Sequence, residues 1–329
     1  NVFLPDGRLF LVLPLIKVAQ KMISDYKIDG ILTTGPPHSM HLPALWLSKQ
    51  NSINWTADFR DPWTKIYYYE SQPKSLVAKY VDQFLEKTVL QNADNVITVS
   101  PHWARQLSHI SGKNNVKTIF NGYDKKDFME NSNIVKKDKF RIAYIGNFLT
   151  NQNIDALWSV LSKLIDNKKD LARDLEIMIV GNIHDEVLET LNTTGLSIYL
   201  IRKNYVPHLK AIELMQEASV LLFIIPNILD NKGIITGKIF DYLASSRPLL
   251  SIGPSDGDAA KILKKVNAGE IIEPTDAAGI QKRIEELYHL WGNSNLREAI
   301  SHKSKIREFE RRELTRKLAD IIKHKSRIL

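Results

Sequence analysis

The sequence has no cysteine. That excludes disulfides, cysteine-based zinc sites, iron–sulfur clusters and a thiol nucleophile. It fits a reducing compartment. No apolar run approaches the roughly 18 residues that span a bilayer. The longest, Phe10–Ile16 and Ser219–Pro226, have the length of strands or core helix. No G-x-G-x-x-G opens either half, which argues against a nicotinamide-dependent oxidoreductase. No basic–aromatic interleaving accompanies the positive charge, so nucleic acid is a weak candidate partner. No acidic pair stands out as a metal site, and there is no short-period repeat or low-complexity tract. No basic n-region with an apolar h-region marks a signal peptide.

What is present is ordinary globular material: 329 residues, 43% hydrophobic and 25% charged. At about 150 residues per domain this length suggests two domains. The net charge is +8 and is unevenly placed. Lys303–Leu329 holds ten Lys/Arg against four acids, a balance of +6, which leaves +2 for the rest. Such a tail suits a solvated helix face, or attraction to an anionic membrane surface or substrate.

Two halves share one rhythm. In the first, strands at Asp29–Thr34, Ile53–Ala57, Asn95–Val99 and Val116–Phe120 alternate with helical patterns, the longest at Ser75–Asn92. Ser100-Pro101 is a helix start with Pro at the first helical position. The charged, aperiodic stretch Lys125–Lys139 separates the halves and suggests a linker, with the first domain at 1–128 and the linker proper at 129–139. The second half, 140–300, restarts with strands at Phe140–Ile145, Leu175–Val180, Ile198–Leu200, Ser219–Ile225, Pro248–Ile252 and Glu270–Ile272. Strands alternating with helices predict βαβ units and parallel sheets. Two doubly wound α/β domains facing across a cleft are expected, with ligands at the carboxyl ends of the strands.

The most informative stretch is Asn231–Pro254, NKGIITGKIFDYLASSRPLLSIGP. A glycine-containing loop runs straight into an apolar-spaced helix. Gly233 and Gly237 permit close backbone approach to a ligand. The amides of Ile235, Thr236 and Gly237 lie where an anion would be held, and Lys238 adds a point charge. Asp241, three residues on, shares roughly the Lys238 face and can accept two hydrogen bonds from a ribose diol. The bland alternative is a capped helix with a surface Lys–Asp pair.

This segment resembles the nucleotide-sugar loop and helix of GT-B glycosyltransferases, in particular the large retaining family 4. That family has one acid, seven residues, a second acid, an apolar turn, a small residue, Arg or Lys, and Pro. Asp241 falls on the second acid, followed by Tyr242-Leu243-Ala244 and Arg247-Pro248-Leu249. The resemblance implies that Asp241 binds the nucleotide ribose. At the first acid this chain has Gly233. FRIAYIGNF (Phe140–Phe148) resembles the first strand and loop of the nucleotide domain, with Gly146 beside the diphosphate. Asn147, Asn151, Gln152 and Asn153 stand where the family often carries Arg and Lys, so more of the charge falls to Lys238 or Arg202. Asn204–His208 resembles the segment that holds the base, near Val206. Asn95–Pro101 with Ile119–Asp124 resembles the end of the acceptor domain.

In the first half, GPPHSMH (Gly35–His41) lies where related enzymes border the reacting sugar, making His38 and His41 catalytic candidates; a cap or core role is the alternative. DFRDPW (Asp58–Trp63) resembles a subgroup of the family. Arg60 either pairs with Asp58 or Asp61 or contacts phosphate, and Asp61 is a candidate base. By the resemblance LPDGRL (Leu4–Leu9) lies well inside the acceptor domain, so on the order of 80–100 residues of that domain would precede it. The final helix, within 301–329, would cross back to the first domain.

The implied activity is transfer of a sugar from a nucleoside diphosphate sugar, UDP or GDP type, to an acceptor hydroxyl with retention. No metal and no cofactor beyond that donor are expected. The implied partners are the donor and a saccharide or lipid-linked saccharide acceptor. The implied setting is the bacterial cytoplasm, in surface polysaccharide or glycan synthesis, with peripheral contact at the inner face of the plasma membrane as one reading of the basic tail. An epimerase on the same fold and a non-catalytic sugar-nucleotide scaffold are the rival readings.

Overall fold

The structure is a computed structural model, and it describes residues 4–65, 74–128, 138–300 and 303–323. The chain divides into two compact units. One comprises Asn1–Phe120 and Arg312–Leu329, the other Asn121–Arg311. The linker placed at 129–139 lies mostly outside the described residues.

The first unit has a parallel sheet of four strands in the order β1-β2-β3-β4. These are β1 (Gly30–Gly35), β2 (Asn54–Phe59), β3 (Asn95–Thr98) and β4 (Val116–Thr118). Strands and neighbours in space run in the same order, so the sheet grows in one direction only. β2 and β3 are buried along almost their whole length, as strands covered on both faces must be. Trp55, Ala57, Phe59, Val89, Leu90 and Val96 form the centre of its core. The helix Arg311–Lys323 packs Leu314 and Ile321 onto Ile97 and Ile119, in a small second cluster of this unit. The helix Val12–Tyr26, where the sequence shows only a short apolar run, buries none of its residues.

The second unit has six parallel strands. In chain order they are β5 (Phe140–Ile145), β6 (Leu175–Val180), β7 (Leu200–Lys203), β8 (Val220–Ile224), β9 (Leu249–Ile252) and β10 (Ile271–Ile272). Their order in space is β10-β9-β8-β5-β6-β7. The chain therefore builds outward from β5 through β6 to β7, then returns to the other side of β5 and builds through β8 to β10. The reversal lies between β5 and β8. In open α/β sheets the crevice beyond the carboxyl ends of the strands at such a reversal is where ligands bind. All six β5 side chains except Arg141 are buried. Phe140, Ile142 and Tyr144 join Trp158, Leu161, Leu222 and Ile284 in one core.

Among the described residues no helix is long and apolar enough to cross a membrane.

Candidate functional site

The reversal between β5 and β8 gathers several of the residues singled out by sequence. Gly146 follows β5 directly and has φ +124°, a backbone that favours glycine. Gly181 follows β6 with φ +119°. A Cβ on Gly181 would stand 2.7 Å from the Gly146 carbonyl oxygen. The two turns are thus in contact through bare backbone.

Lys238 opens the helix Lys238–Ala244 after the β8 loop and points at the Gly146 turn. A Cβ on Gly146 would lie 3.0 Å from its Nζ. Nζ donates to Tyr144 Oη at 2.7 Å and sits 3.9 Å from the centre of that ring. Tyr144 Oη in turn has Asn147 O at 2.9 Å and Gln152 Oε1 at 3.0 Å to donate to. Tyr144 is stacked on Phe148, which fixes the hydroxyl. Lys238 is half-buried, and no carboxylate of the described residues pairs with it. Burial lowers its pKa to about 7. A cation held out of water without an anion is costly, and a bound anion would relieve that cost.

One turn on, Asp241 is also half-buried and has no hydrogen-bond partner among the described side chains. Burial raises its pKa to about 6, with His208 and Arg311 pulling it down and Asp127 pushing it up. His208 itself lies 3.2 Å from Asp127. Gly237 is exposed, and Asn121 lies near the space its absent side chain would fill. Thr236 Oγ1 is enclosed and without a partner. Ile235 and Gly233 are buried.

No other candidate has a hydrogen bond or ion pair with Lys238 among the described residues. Arg202 is exposed in the middle of the edge strand β7, opposite Ile179, and nothing in the structure brings it to Lys238. Val206 is half-buried in the turn between β7 and the helix His208–Glu217. Asn147 is exposed and contributes its carbonyl to Tyr144. Gln152 and Asn153 serve the scaffold: Asn153 bonds Thr190 and the Trp158 indole.

Sequence reasoning missed Tyr144 and Tyr242. Tyr144 has the appearance of an ordinary strand residue. Tyr242 is fully buried and accepts from the Ile145 amide at 2.9 Å, tying the helix to the end of β5.

In the first unit His38 and His41 are 1% and 0% exposed. His38 stacks on Trp63 at 5.0 Å and His41 on Phe59 at 4.7 Å. Trp55 Nε1 donates to Thr33 Oγ1, which lies 2.8 Å from His41 Nδ1. Burial lowers the two pKa values to about 4 and about 3, so both rings are neutral near pH 7. A Cβ on Gly35 would stand 2.7 Å from His38 Nδ1 and 2.8 Å from His41 Nε2, so glycine is what allows this pair of rings. Arg60 pairs with Asp58 at 2.8 Å, the first of the two pairings its neighbours allow. Thr34 adds a hydrogen bond to the same carboxylate. Asp61 is half-buried, which raises its pKa.

Among the described residues no three His, Asp or Glu side chains are grouped to hold a metal ion.

No family model matches this chain. No curated protein matches it either. Solved structures do. A sucrose-phosphate synthase from Thermosynechococcus elongatus superposes with a TM-score of 0.74 at 13% identity, over 97% of this chain and 79% of that one. A glycosyltransferase from Rickettsia africae gives 0.71 at 15% identity, over 100% and 84%. The fold is GT-B. A putative UDP-N-acetylglucosamine 2-epimerase from Listeria monocytogenes also matches, at 0.57 and 9% identity, over 98% and 82%. At these identities the likeness carries the fold, and the two parallel-sheet Rossmann-like units are what is shared.

Proposed function

We propose that the second unit binds a nucleoside diphosphate sugar and that the protein transfers the sugar to an acceptor hydroxyl. The observation that carries this reading is Lys238: a half-buried cation with no carboxylate partner among the described residues, at the strand-order reversal, against the Gly146 turn. The diphosphate would lie between Lys238 and the backbone at Gly146 and Gly237. Asp241 would accept from the ribose diol. The base would lie toward Val206. Gly233 offers backbone in place of a donor-sugar carboxylate.

In the transfer, the bond from the anomeric carbon to the diphosphate breaks and a bond to the acceptor oxygen forms. The acceptor proton passes to the departing diphosphate. Charge builds on the leaving group as an oxocarbenium-like centre develops, and Lys238 is placed to stabilise it. Retention of configuration, a UDP or GDP donor, and a saccharide or lipid-linked saccharide acceptor in bacterial surface-glycan synthesis complete the reading. Arg60 and Asp61 are its acceptor-side candidates. His38 and His41 are assigned to packing, because both rings are enclosed by aromatic side chains.

The second reading is an epimerase, favoured by the epimerase neighbour on the same fold. Incubation with UDP- and GDP-sugars, with and without a saccharide acceptor, separates the two. Acceptor-dependent release of nucleoside diphosphate supports transfer. An altered sugar nucleotide formed without acceptor supports epimerisation.

A further inference from the structure

The two loops that meet at the strand-order reversal are tied together by backbone. The Asn151 carbonyl, after β5, accepts from the Asn227 amide, after β8, at 2.7 Å. Gln152, next in the chain, accepts from Tyr144 Oη, and Tyr144 accepts from Lys238 Nζ. Thr236 stands two residues before Lys238, and its carbonyl accepts from the Ile239 amide at 3.2 Å. One run of bonds therefore leads from the Asn151 loop through Lys238 to the turn that holds Thr236.

Each end of that run carries an enclosed side-chain oxygen with no hydrogen-bond partner among the described residues. These are Asn151 Oδ1 and Thr236 Oγ1. Buried polar groups in folded proteins are nearly all paired, so two orphans beside one cation mark a place where a ligand supplies the partner.

The chemistry of these oxygens selects the part of the ligand. Asn151 Oδ1 has lone pairs and no proton, so it needs a donor. A diphosphate at neutral pH offers only acceptors and cannot satisfy it. A sugar hydroxyl can. Thr236 Oγ1 accepts as readily as it donates. Residues 147–153 hold no charged side chain, and position 233 is glycine.

We propose, on the reading that the second unit holds a nucleoside diphosphate sugar, that Asn151 Oδ1 and Thr236 Oγ1 accept hydrogen bonds from hydroxyls of the transferred sugar. The sugar is then recognised by neutral acceptors rather than by a carboxylate, and the diphosphate is left to Lys238.

The test is calorimetric titration of the full chain with UDP-glucose, UDP-N-acetylglucosamine and GDP-mannose, each set against its own diphosphate, UDP or GDP. The ratio of the two affinities isolates the sugar. Asn151→Leu and Thr236→Val should each weaken the sugar nucleotide by about five- to tenfold and the diphosphate by under about twofold. Asn151→Asp keeps an acceptor in place and should hold the parent's ratio. Neither oxygen is paired in the free protein, so Thr236→Val should not lower the melting temperature. If Asn151→Leu does not fold, Asn151→Ala takes its place. An unchanged ratio in either variant, whether both ligands weaken or neither does, overturns the assignment and leaves that oxygen to a buried water. So does a loss in Asn151→Asp as large as in Asn151→Leu, or a parent that binds a diphosphate and none of the three sugar nucleotides. If neither diphosphates nor sugar nucleotides bind the parent, the donor-site reading itself falls and this assignment falls with it.

Discussion

Lys238 Nζ lies 2.7 Å from Tyr144 Oη and over the ring of the same tyrosine. The contact joins the first turn of the helix after β8 to the end of strand β5, at the point where strand order reverses. Tyr144 is held by Phe148, Asn147 and Gln152. The cation is therefore aimed before any ligand arrives, which lowers the ordering cost of binding.

Anion binding at Lys238 should depend on pH. Its pKa is lowered to about 7, so the free protein loses the charge as pH rises through that value. An anion stabilises the charged form, so binding takes up a proton. Affinity for a nucleoside diphosphate should fall from pH 6.5 to pH 8.5, and Lys238→Met should be weak at both. Calorimetry in two buffers of different ionisation heat reads both the affinity and the proton uptake. A parent affinity independent of pH would contradict this.

Asp241 should cost stability in the free protein. Its folded pKa of about 6 exceeds the value near 3.9 of an unfolded aspartate. A group whose pKa rises on folding favours the folded state at low pH and loses that contribution as pH rises through the folded value. Asp241→Asn should therefore match the parent in urea unfolding at pH 3.5 and exceed it at pH 7. The same variant should lose affinity for the ribose-bearing ligand by about tenfold, the size of one good hydrogen bond to a charged group.

The glycine turns should be intolerant. Gly181→Ala would bring a Cβ to 2.7 Å from the Gly146 carbonyl at a positive φ. The expected cost is about 2–4 kcal/mol, from strain and backbone displacement together. Gly146→Ala should cost about 1–3 kcal/mol, and should also push Lys238 aside. Denaturant midpoints give the first quantity and ligand titration the second.

The His38–His41 pair should make the first unit acid-sensitive. Both pKa values lie below the ordinary 6.5, so the stability they allow is present above that pH and is lost as pH falls toward about 4. His41→Phe, which stacks on Phe59 without a titrating nitrogen, should flatten the unfolding profile between pH 4.5 and 6.5. An unchanged slope would place the acid sensitivity elsewhere.

Much of the fold was legible because parallel strands buried on both faces leave apolar runs with turn residues at their ends. FRIAYIG and LEIMIVG show this plainly, and each ends in the glycine that its turn requires. Spatial strand order was not legible: nothing in VLLFI says that it returns to the far side of β5. The helix Val12–Tyr26 escaped notice because its apolar residues are spread round it, Leu13, Val18, Met22 and Tyr26 being exposed while Leu15, Ile16 and Ile23 are half-buried, which blurs the pattern. At the site, Lys238 and Asp241 stood out by charge and spacing, and Gly146 through the family resemblance of the strand before it. Tyr144 did not, because a strand tyrosine has the same appearance whether its hydroxyl meets solvent or a lysine. The burial of Asp82 and Glu86 in the helix Leu76–Asn92 was also invisible, since charged positions on a helix ordinarily mark the solvent face.

The most direct test is calorimetric titration of the full chain with UDP, GDP, ADP and CMP, repeated on Lys238→Met. One nucleoside diphosphate should bind the parent, and the variant should lose at least about tenfold in affinity, equivalent to about 1.4 kcal/mol. If no nucleotide binds, or if the variant binds as tightly as the parent, the strand-order reversal in the second unit is not a donor site.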